Sequence, residues 1–367
     1  FYKLACNFGI NVNGKTITIS LSGLAENMPQ AVALAENVLK NAKVDTAAWK
    51  NYVAMVLKNR EDTKKEQRSI FTAAKAYGMY GTYNNVLNQL SAEQLKNTNP
   101  ADMVALITKL SNYKHSVLYY GPATEKQLSN LITKEHKTTT KLADVPANKP
   151  YMEQQTPKSE ILLAPYDAKN IYMTMYHNEG KMFNPSEAPV AAVFNEYFGG
   201  GMNTVVFQEL REARGLAYSA SAYYYNMPIK NHTQYGTTFI ISQNDKMMDC
   251  IRVFNEILDT IPQNEANFNL AKQGLQKQFA SMRVTKMNMI NSYLNAKERG
   301  LDYDINSSIY NALPSVTLKD IVNYEKQNMA SKPYRYIILG DEKNLNMNAL
   351  EKIAPIKRIS TKDIFGY

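Results

Sequence analysis

The stretch NEYFGGGMNTVVFQELREARGLAYSASAYYY, residues 195–225, contains the clearest local signals of secondary structure in the chain. Three consecutive glycines precede an apolar-periodic segment, which predicts a helix over about 203–213. Gly215 is typical of a helix C-terminus, and the alternation over 217–225 predicts a strand. The stretch therefore predicts a helix, a glycine turn, a second helix and a strand in succession.

The three glycines, Gly199, Gly200 and Gly201, have two interpretations. Amides at a helix N-terminus can hold an anion, but the stretch lacks both the G-x-x-x-x-G-K-[ST] and the G-x-G-x-x-G patterns of phosphate-binding loops. The alternative is a tight turn in which glycine permits close approach of two backbones.

Arg211 and Tyr218 are the candidate functional pair. Arg211 falls on the last turn of the predicted helix and Tyr218 just inside the next strand, and the chain reverses between them. A guanidinium and a phenol that face one point can bind a peptide carbonyl or stabilise an oxyanion. The alternative is a solvated helix face, on which Arg211 pairs with Glu209 or Glu212.

Flanking segments extend the prediction to a layered domain. Neighbouring strands are joined by hairpin-length links, which favours an α+β fold with an antiparallel or mixed sheet over a doubly wound parallel sheet. The predicted strands cover 161–164, 171–176, 217–225, 235–242 and 334–339, and the predicted helices include 186–198, 246–260 and 264–284.

An internal repeat organises the chain. The segment from Ile17 resembles the segment from Phe239, so that Ser20 aligns with Ser242, and a later pair of segments aligns Gly121 with Gly340. Each later segment predicts a short helix, a buried strand that ends in the glycine, and a final helix. The offset between the aligned segments gives a repeating unit of about 220 residues. Self-similarity at a fixed period is typical of a chain built from repeated units.

The first copy of this unit is incomplete. At the offset of the repeat, Phe1 corresponds to Tyr223, so nothing in the first copy matches the glycine stretch. We predict an incomplete domain over 1–145, a polar, proline-containing linker over 146–160 and a complete domain over 161–367.

Composition excludes several classes of protein. The 367 residues carry a formal net charge of +9, but Lys and Arg are scattered and form no basic block of the kind that binds nucleic acid. No run of 18 apolar residues occurs, so no membrane span is expected. The two cysteines, Cys6 and Cys250, lack the spacing of a metal site. Nothing in the residues assigns a compartment; a periplasmic or secreted location is compatible with them.

The histidines predict no zinc site in this chain. His115, His136, His177 and His232 occur in no H-x-x-E-H arrangement, and the H-x-E at His177 is not followed by the P-C-x-x-C of zinc deaminases. We expect all four to be solvated or core side chains.

The stretch YFGGGMNTVVFQELREARGLAYSASAY resembles the signature in the C-terminal half of pitrilysin- and insulinase-type zinc peptidases, the M16 family, which also includes the mitochondrial processing peptidase and core subunits of the bc1 complex. The resemblance implies repeated M16-type α+β units and a chamber between two halves. One half holds zinc through H-x-x-E-H. The other supplies an Arg and a Tyr with the spacing R-x-x-x-x-x-x-Y, which Arg211 and Tyr218 match, and we assign Gly199, Gly200 and Gly201 to substrate binding.

The resemblance implies the C-terminal portion of a zinc metallo-endopeptidase. Such a chain would bind unstructured peptides, have no cofactor of its own, and need an H-x-x-E-H half that carries the zinc, in the same polypeptide or a separate subunit. Alone it is predicted to be inactive. The alternative is a non-catalytic M16-like scaffold, similar to the bc1 core subunits.

Overall fold

The computed structural model describes residues 1–367, which divide into two compact units. The first unit comprises Phe1–Glu61, Leu90–Pro150 and Thr285–Ile290, and the second comprises Asp62–Gln89, Tyr151–Val284 and Asn291–Tyr367. None of the helices combines the length and the apolarity that crossing a membrane requires.

The secondary structure consists of eight strands and fifteen α-helices. The strands are β1 Cys6–Val12, β2 Ile17–Gly23, β3 Glu160–Pro165, β4 Asn170–His177, β5 Ala217–Tyr225, β6 Tyr235–Gln243, β7 Arg335–Gly340 and β8 Ile356–Arg358. The helices are α1 Met28–Lys40, α2 Thr46–Thr63, α3 Gln67–Tyr80, α4 Ala92–Asn97, α5 Pro100–Thr108, α6 Glu125–Glu135, α7 Ala188–Phe194, α8 Val205–Phe207, α9 Met247–Asp259, α10 Glu265–Ser281, α11 Met287–Arg299, α12 Ile305–Ala312, α13 Leu318–Asn328, α14 Met347–Ile353 and α15 Thr361–Phe365.

The first unit contains a two-stranded antiparallel sheet, β1 with β2, and helices packed beside it. The Asn13 side chain closes the hairpin by accepting hydrogen bonds from the amides of Lys15 and Thr16. Apolar side chains on both strands remain exposed, for example Val12 at 69% and Ile17 at 50%. This unit therefore has little sheet to bury its apolar residues against.

The buried strand predicted before Gly121 does not form. Residues 114–120 have no regular structure, and Val117, Leu118 and Tyr120 are about half exposed. The prediction is wrong because an apolar run forms a strand only beside a partner strand, and none lies next to this segment apart from a single bridge at Tyr113.

The second unit contains a six-stranded mixed sheet in the order β5-β6-β4-β7-β3-β8. The pairs β5–β6, β6–β4 and β4–β7 are antiparallel, whereas β3 runs parallel to β7 and β8. The predicted α+β class with a mixed sheet is thereby confirmed, and the predicted strands agree with the observed ones to within one residue.

One face of this sheet is covered by helices that lie between its strands in sequence. Helices α7, α9, α12 and α13 contribute to the main core with inward side chains of β3 to β7. The core is rich in aromatic side chains, and Phe194 stacks on Phe198 with ring centres 5.2 Å apart. Apolar positions along α9 recur at helical spacing, which explains why the sequence indicated this helix clearly.

The opposite face is covered by α3, which lies well before the sheet in sequence, and by α15. Ile70 and Phe71 of α3 are buried together with Ile337 and Leu339 of β7. A Cβ atom on Gly78 would lie 2.4 Å from the Ile337 side chain, so only glycine allows α3 to pack this closely. Residues 62–89 consequently belong to the folding unit of the sheet.

The predicted domains at 1–145, 146–160 and 161–367 describe homologous repeats, and they stay a prediction. The compact units divide the chain differently, because α3 packs on the sheet that begins at β3. A hairpin, a short 3-10 segment and a helix occur in both units, at β1–β2 with α1 and at β5–β6 with α9. Strand β8 and helix α15 were not predicted, since three and five residues are too short to show periodicity.

Candidate functional site

The glycine stretch connects two helices that each end in a wider π-type turn. Helix α7 continues into a π segment, Asn195–Gly199, and α8 continues into a second one, Gln208–Glu212. Between them, Thr204 donates to the carbonyl of Gly201 from both its amide and its hydroxyl. Such π segments often occur at functional sites, and here they place Asn195 and Arg211 beside strand β5.

Each glycine of the turn has a different environment. A Cβ atom on Gly199 would lie 2.8 Å from the carbonyl oxygen of Ala222 on β5, so Gly199 is required for close approach. A Cβ on Gly200 would contact the Ser221 Cβ at 3.4 Å, and Gly201 has space around it. The close-approach interpretation therefore holds at Gly199, and the assignment of the three glycines to substrate binding stays a prediction.

Asn195 covers part of the outer edge of β5. Its Nδ2 donates to the Tyr224 carbonyl at 3.0 Å, and its Oδ1 accepts from the Tyr224 amide at 2.8 Å. Because β5 is the end strand of the sheet, its outward backbone groups would otherwise be open to pairing with another strand. Asn195 was not predicted from the sequence, since a single asparagine in a helix shows nothing of its distant partner.

The helix that carries Arg211 ends as predicted at Gly215, which has a left-handed φ of 57°. The next residue, Leu216, donates from its amide to the Leu210 carbonyl, and its own carbonyl accepts from the Ser242 hydroxyl at 2.8 Å. Lys246 donates to the Gly215 carbonyl at 3.0 Å. The reversal between helix and strand is therefore fixed by bonds to β6 and to the segment before α9.

Arg211 and Tyr218 meet across this reversal. The guanidinium carbon of Arg211 lies 5.8 Å from the centre of the Tyr218 ring and 4.9 Å from that of Phe207, one helical turn earlier. A bulge in the pairing of β5 with β6 falls at Tyr218, whose side chain is 76% exposed. Phe207 is a second residue of the site that was not predicted from the sequence, although its i, i+4 spacing to Arg211 is the signal that identifies it.

The alternative ion pairs of Arg211 are only partly formed. Glu209 pairs with Arg214 instead, which also donates to the Glu209 carbonyl at 3.2 Å. Glu212 lies 3.8 Å from the Arg211 Nε, a loose contact between two half-exposed side chains, and such surface pairs contribute little to stability. The guanidinium therefore keeps most of its donors free for a ligand.

The arrangement can bind and polarise a peptide carbonyl. The phenol of Tyr218 is a hydrogen-bond donor on an exposed ring, and the planar guanidinium of Arg211 presents several donors beside it. Neither side chain is a nucleophile or a general base at neutral pH. The pair alone thus supplies hydrogen bonds to a reacting group and not the attacking atom.

The histidines of the second unit are structural. His177 is buried, its Nδ1 lies 2.7 Å from the carbonyl oxygen of Pro333, and burial lowers its pKa. His232 has its Nδ1 3.0 Å from both carboxylate oxygens of Glu153. The two rings have different partners, and neither belongs to a cluster of ligands.

The histidines of the first unit contact each other. The Nε2 atoms of His115 and His136 are 2.9 Å apart, and Glu36 lies 2.7 Å from the other ring nitrogen of His136. Because Glu36 occupies the far side of the imidazole, the three side chains cannot chelate one ion. No group of three or more His, Cys, Asp or Glu side chains in residues 1–367 is arranged to hold a metal, so the residues present do not fit a catalytic zinc ion.

Comparison with known proteins identifies a family that part of the chain matches. Residues 114–275 match the family described as Peptidase M16 inactive domain. The fold is similar to that of a peptidase M16 inactive domain from Pseudomonas fluorescens, with a TM-score of 0.62 and 15% identity over 93% of this chain and 82% of that one. No curated protein matches the sequence.

Two longer proteases share the fold. The ferredoxin protease FusC, solved as a mutant in complex with Arabidopsis ferredoxin, has a TM-score of 0.71 and 12% identity over 93% of this chain and 37% of its own. The periplasmic protease PqqL from Escherichia coli has a TM-score of 0.64 and 14% identity over 93% of this chain and 38% of its own. Residues 114–275 of this chain thus match the peptidase M16 family, in the domain that is described as inactive.

Proposed function

We propose that this chain is the substrate-binding half of a zinc endopeptidase that cleaves unstructured peptides together with a second, H-x-x-E-H-bearing half. The observation that carries the proposal is the convergence of Arg211 and Tyr218 across a fixed helix-to-strand reversal. Both lie in the stretch that carries the family resemblance. The similarity of the fold to FusC, which was solved with a protein bound, supports the same interpretation.

The role of Tyr218 follows from the chemistry of peptide hydrolysis. Attack on a peptide carbonyl produces a tetrahedral intermediate whose oxygen carries negative charge, and a donor aimed at this oxygen stabilises it more than the substrate. The Tyr218 ring is exposed, so its hydroxyl can reach a carbonyl held by a facing half. Arg211 binds the substrate main chain, or holds the Tyr218 ring in place through the contact between their faces.

The substrate backbone runs beside strand β5 in this proposal. Main-chain hydrogen bonds to a strand give affinity without sharp sequence preference. Asn195 already occupies the outward groups of Tyr224, and Gly199 lies against the Ala222 carbonyl. Every second residue of a strand directs its backbone amide and carbonyl to the same side. After Tyr224 and Ala222, the amide and carbonyl of Ala220 are therefore the next that are available for pairing, close to Tyr218.

The test is cleavage of a quenched, unstructured peptide. The chain is assayed alone and together with an H-x-x-E-H half, either fused upstream or supplied as a separate subunit. We expect activity only in the combination and its loss on addition of a zinc chelator. Absence of activity in a combination that forms a stable complex would instead support the non-catalytic scaffold, and Arg211 and Tyr218 would then have a structural role.

A further inference from the structure

A groove lies on the sheet face of the second unit, between helix α3 and strands β5 and β6. Its volume is about 400 Å³. It is lined by one face of α3 and by side chains of β4, β5 and β6. Arg68, Phe71, Thr72 and Lys75 follow the i, i+3, i+4, i+7 spacing of a single helical face, so α3 presents all four to the groove.

The floor of the groove is a packed aromatic cluster. The Phe71 ring centre lies 5.6 Å from that of Tyr172 and 5.7 Å from that of Phe239. Tyr172 and Phe239 meet edge to face at 6.2 Å. Because these rings are held by one another, the groove has a rigid apolar base that does not need to be ordered when a ligand binds.

The wall formed by α3 is positively charged. Arg68 is exposed and Lys75 half-buried, and neither forms an ion pair in the structure. The groove is lined by no aspartate or glutamate, and its other polar groups are the hydroxyls of serine and threonine side chains and of two tyrosines, Tyr172 and Tyr223. A tyrosine is neutral at pH 7 and burial raises the pKa of Tyr223 further, so the opposite wall carries no charge. The charge of the groove is therefore uncompensated and favours an anionic ligand.

The position of the groove connects it to the Arg211–Tyr218 pair. Tyr223 and Ser221 line the groove, and Tyr218 is the second residue of the same strand. From Tyr218 to Tyr223 an extended strand rises by about 16 Å. Gly200 lies beside Ser221, so the glycine turn borders the groove at the edge of β5.

We propose that this groove is a substrate subsite that binds an acidic side chain of an extended peptide whose scissile bond lies at Tyr218. The inference rests on the proposed function. Arg68 and Lys75 bind the carboxylate, and the aromatic floor contacts the aliphatic part of the peptide. From the rise along β5, the acidic residue lies about four or five positions from the cleaved bond.

The first test measures binding by this chain alone. The probes are fluorescein-labelled, unstructured peptides that contain either two adjacent glutamates or two glutamines, and binding is followed by anisotropy. In R68Q/K75Q we expect affinity for the glutamate peptide to fall about tenfold, as loss of a charge-assisted contact gives, with the glutamine peptide unaffected. K277Q/K319Q, which removes the same charge from exposed positions outside the groove, is the matched control and should bind like the unmodified chain.

A charge exchange keeps the test independent of folding defects. R68E/K75E should prefer a lysine peptide over the glutamate peptide, which mere damage to the groove would not produce. Equal affinity of the unmodified chain for the glutamate and glutamine peptides would overturn the proposal. An equal loss in K277Q/K319Q would also overturn it, because general charge would then explain the binding.

The second test separates the subsite from the proposed function. The assembled enzyme is given peptides in which one glutamate moves stepwise away from the cleaved bond on either side. We expect KM to be lowest with the glutamate about four or five positions away, and R68Q/K75Q to remove this minimum without changing kcat. Cleavage without any positional preference would refute the subsite and leave the peptidase function standing. Binding of the glutamate peptide without cleavage would support the subsite and count against the peptidase function.

Discussion

The guanidinium of Arg211 lies 5.8 Å from the Tyr218 ring centre, although a helix end, a left-handed glycine and a strand bulge separate the two residues in sequence. The Phe207 ring centre lies 4.9 Å from the same guanidinium carbon. Of the three side chains, Tyr218 is the most exposed, at 76%. This geometry favours contact between the Tyr218 hydroxyl and a group that belongs to another molecule or another half.

Tyr218→Phe tests the donor directly. We expect kcat of the assembled enzyme to fall by about 10²–10³, the usual effect of removing one oxyanion donor, with KM little changed. The melting temperature of the chain should stay the same, because the hydroxyl is exposed. Tyr293→Phe, at a similarly exposed tyrosine on α11, is the control and should retain full activity. An unchanged kcat in Tyr218→Phe would remove this hydroxyl from the mechanism.

Arg211→Lys tests the planar guanidinium. Lysine keeps the charge but lacks the planar guanidinium that contacts the rings of Phe207 and Tyr218. We expect kcat to fall by about tenfold, equivalent to one lost charge-assisted contact, while stability changes little. Phe207→Leu should give a smaller fall of the same kind, since a cation–π contact at an exposed site contributes about 0.5–1 kcal/mol. If both variants matched the unmodified chain in kcat, stacking would have no part in activity.

The glycine turn allows packing and binding to be separated. Gly199→Ala places a methyl group 2.8 Å from the Ala222 carbonyl and should lower the free energy of unfolding by about 1–3 kcal/mol. A methyl group at position 201 makes only an ordinary contact, so Gly201→Ala should leave the free energy of unfolding unchanged. If Gly201 contacts substrate, its variant will raise KM at constant stability. Urea denaturation and steady-state kinetics on both variants distinguish these effects, and a stable Gly199→Ala would contradict the close-packing explanation.

Asn195→Ala should uncover the edge of β5. The change leaves the amide and carbonyl of Tyr224 without their partner, at a cost of about 1–3 kcal/mol. It should also increase self-association, because an open edge strand pairs readily with another chain. Urea denaturation and light scattering measure the two effects. Asn295→Ala, an exposed position on α11, is the control, and monomeric behaviour with unchanged stability in Asn195→Ala would refute the capping role.

The burial of Glu325 makes us expect that the stability of the protein depends on pH. Its side chain is fully buried in α13, and neither carboxylate oxygen has a hydrogen-bond partner. Burial, and secondarily the charge of Asp259, raise its pKa from 4.5 to about 7. Between these two values the folded protein binds a proton that the unfolded chain has lost, so stability falls as the pH rises. Below pH 4.5 the buried carboxyl is protonated and does not destabilise the fold. Above about pH 7 the full unfavourable free energy of its ionisation is present.

Glu325→Gln removes this dependence. We expect the variant to be more stable than the unmodified chain by up to about 3 kcal/mol at alkaline pH, and the difference to vanish below the pKa of the unfolded carboxyl. Urea denaturation over a series of pH values measures it, with Glu351→Gln on α14 as an exposed control. A constant difference across the pH range would show that ionisation of Glu325 is not its source.

Local patterns predicted most of the second unit. The alternation in β5, the helical periodicity of α9 and the left-handed Gly215 are each encoded within a few residues, and the structure has all three where expected. The pairing of Arg211 with Tyr218 followed from the same local signals, because only a chain reversal separates them. Their function, by contrast, came from resemblance and stays a proposal.

Contacts between residues far apart in sequence could not be predicted. The contact of Asn195 with Tyr224 and the packing of α3 on β7 join segments far apart in sequence, and no periodicity reports them. The same limit explains the wrong strand before Gly121. Its apolar run is that of a strand, but a strand depends on partners that the run itself does not specify.

The packing of α3 has a consequence for biosynthesis. Arg335 of β7 donates to the Gly78 carbonyl at the end of α3, across 257 positions of the chain. During translation the apolar face of α3, with Ile70 and Phe71, therefore leaves the ribosome long before the strands that cover it exist. Its burial is completed only after β7, Arg335–Gly340, has been made. This apolar face needs protection for most of the synthesis of the chain. A chain released from the ribosome before β7 has been made would expose the face and would be prone to aggregate.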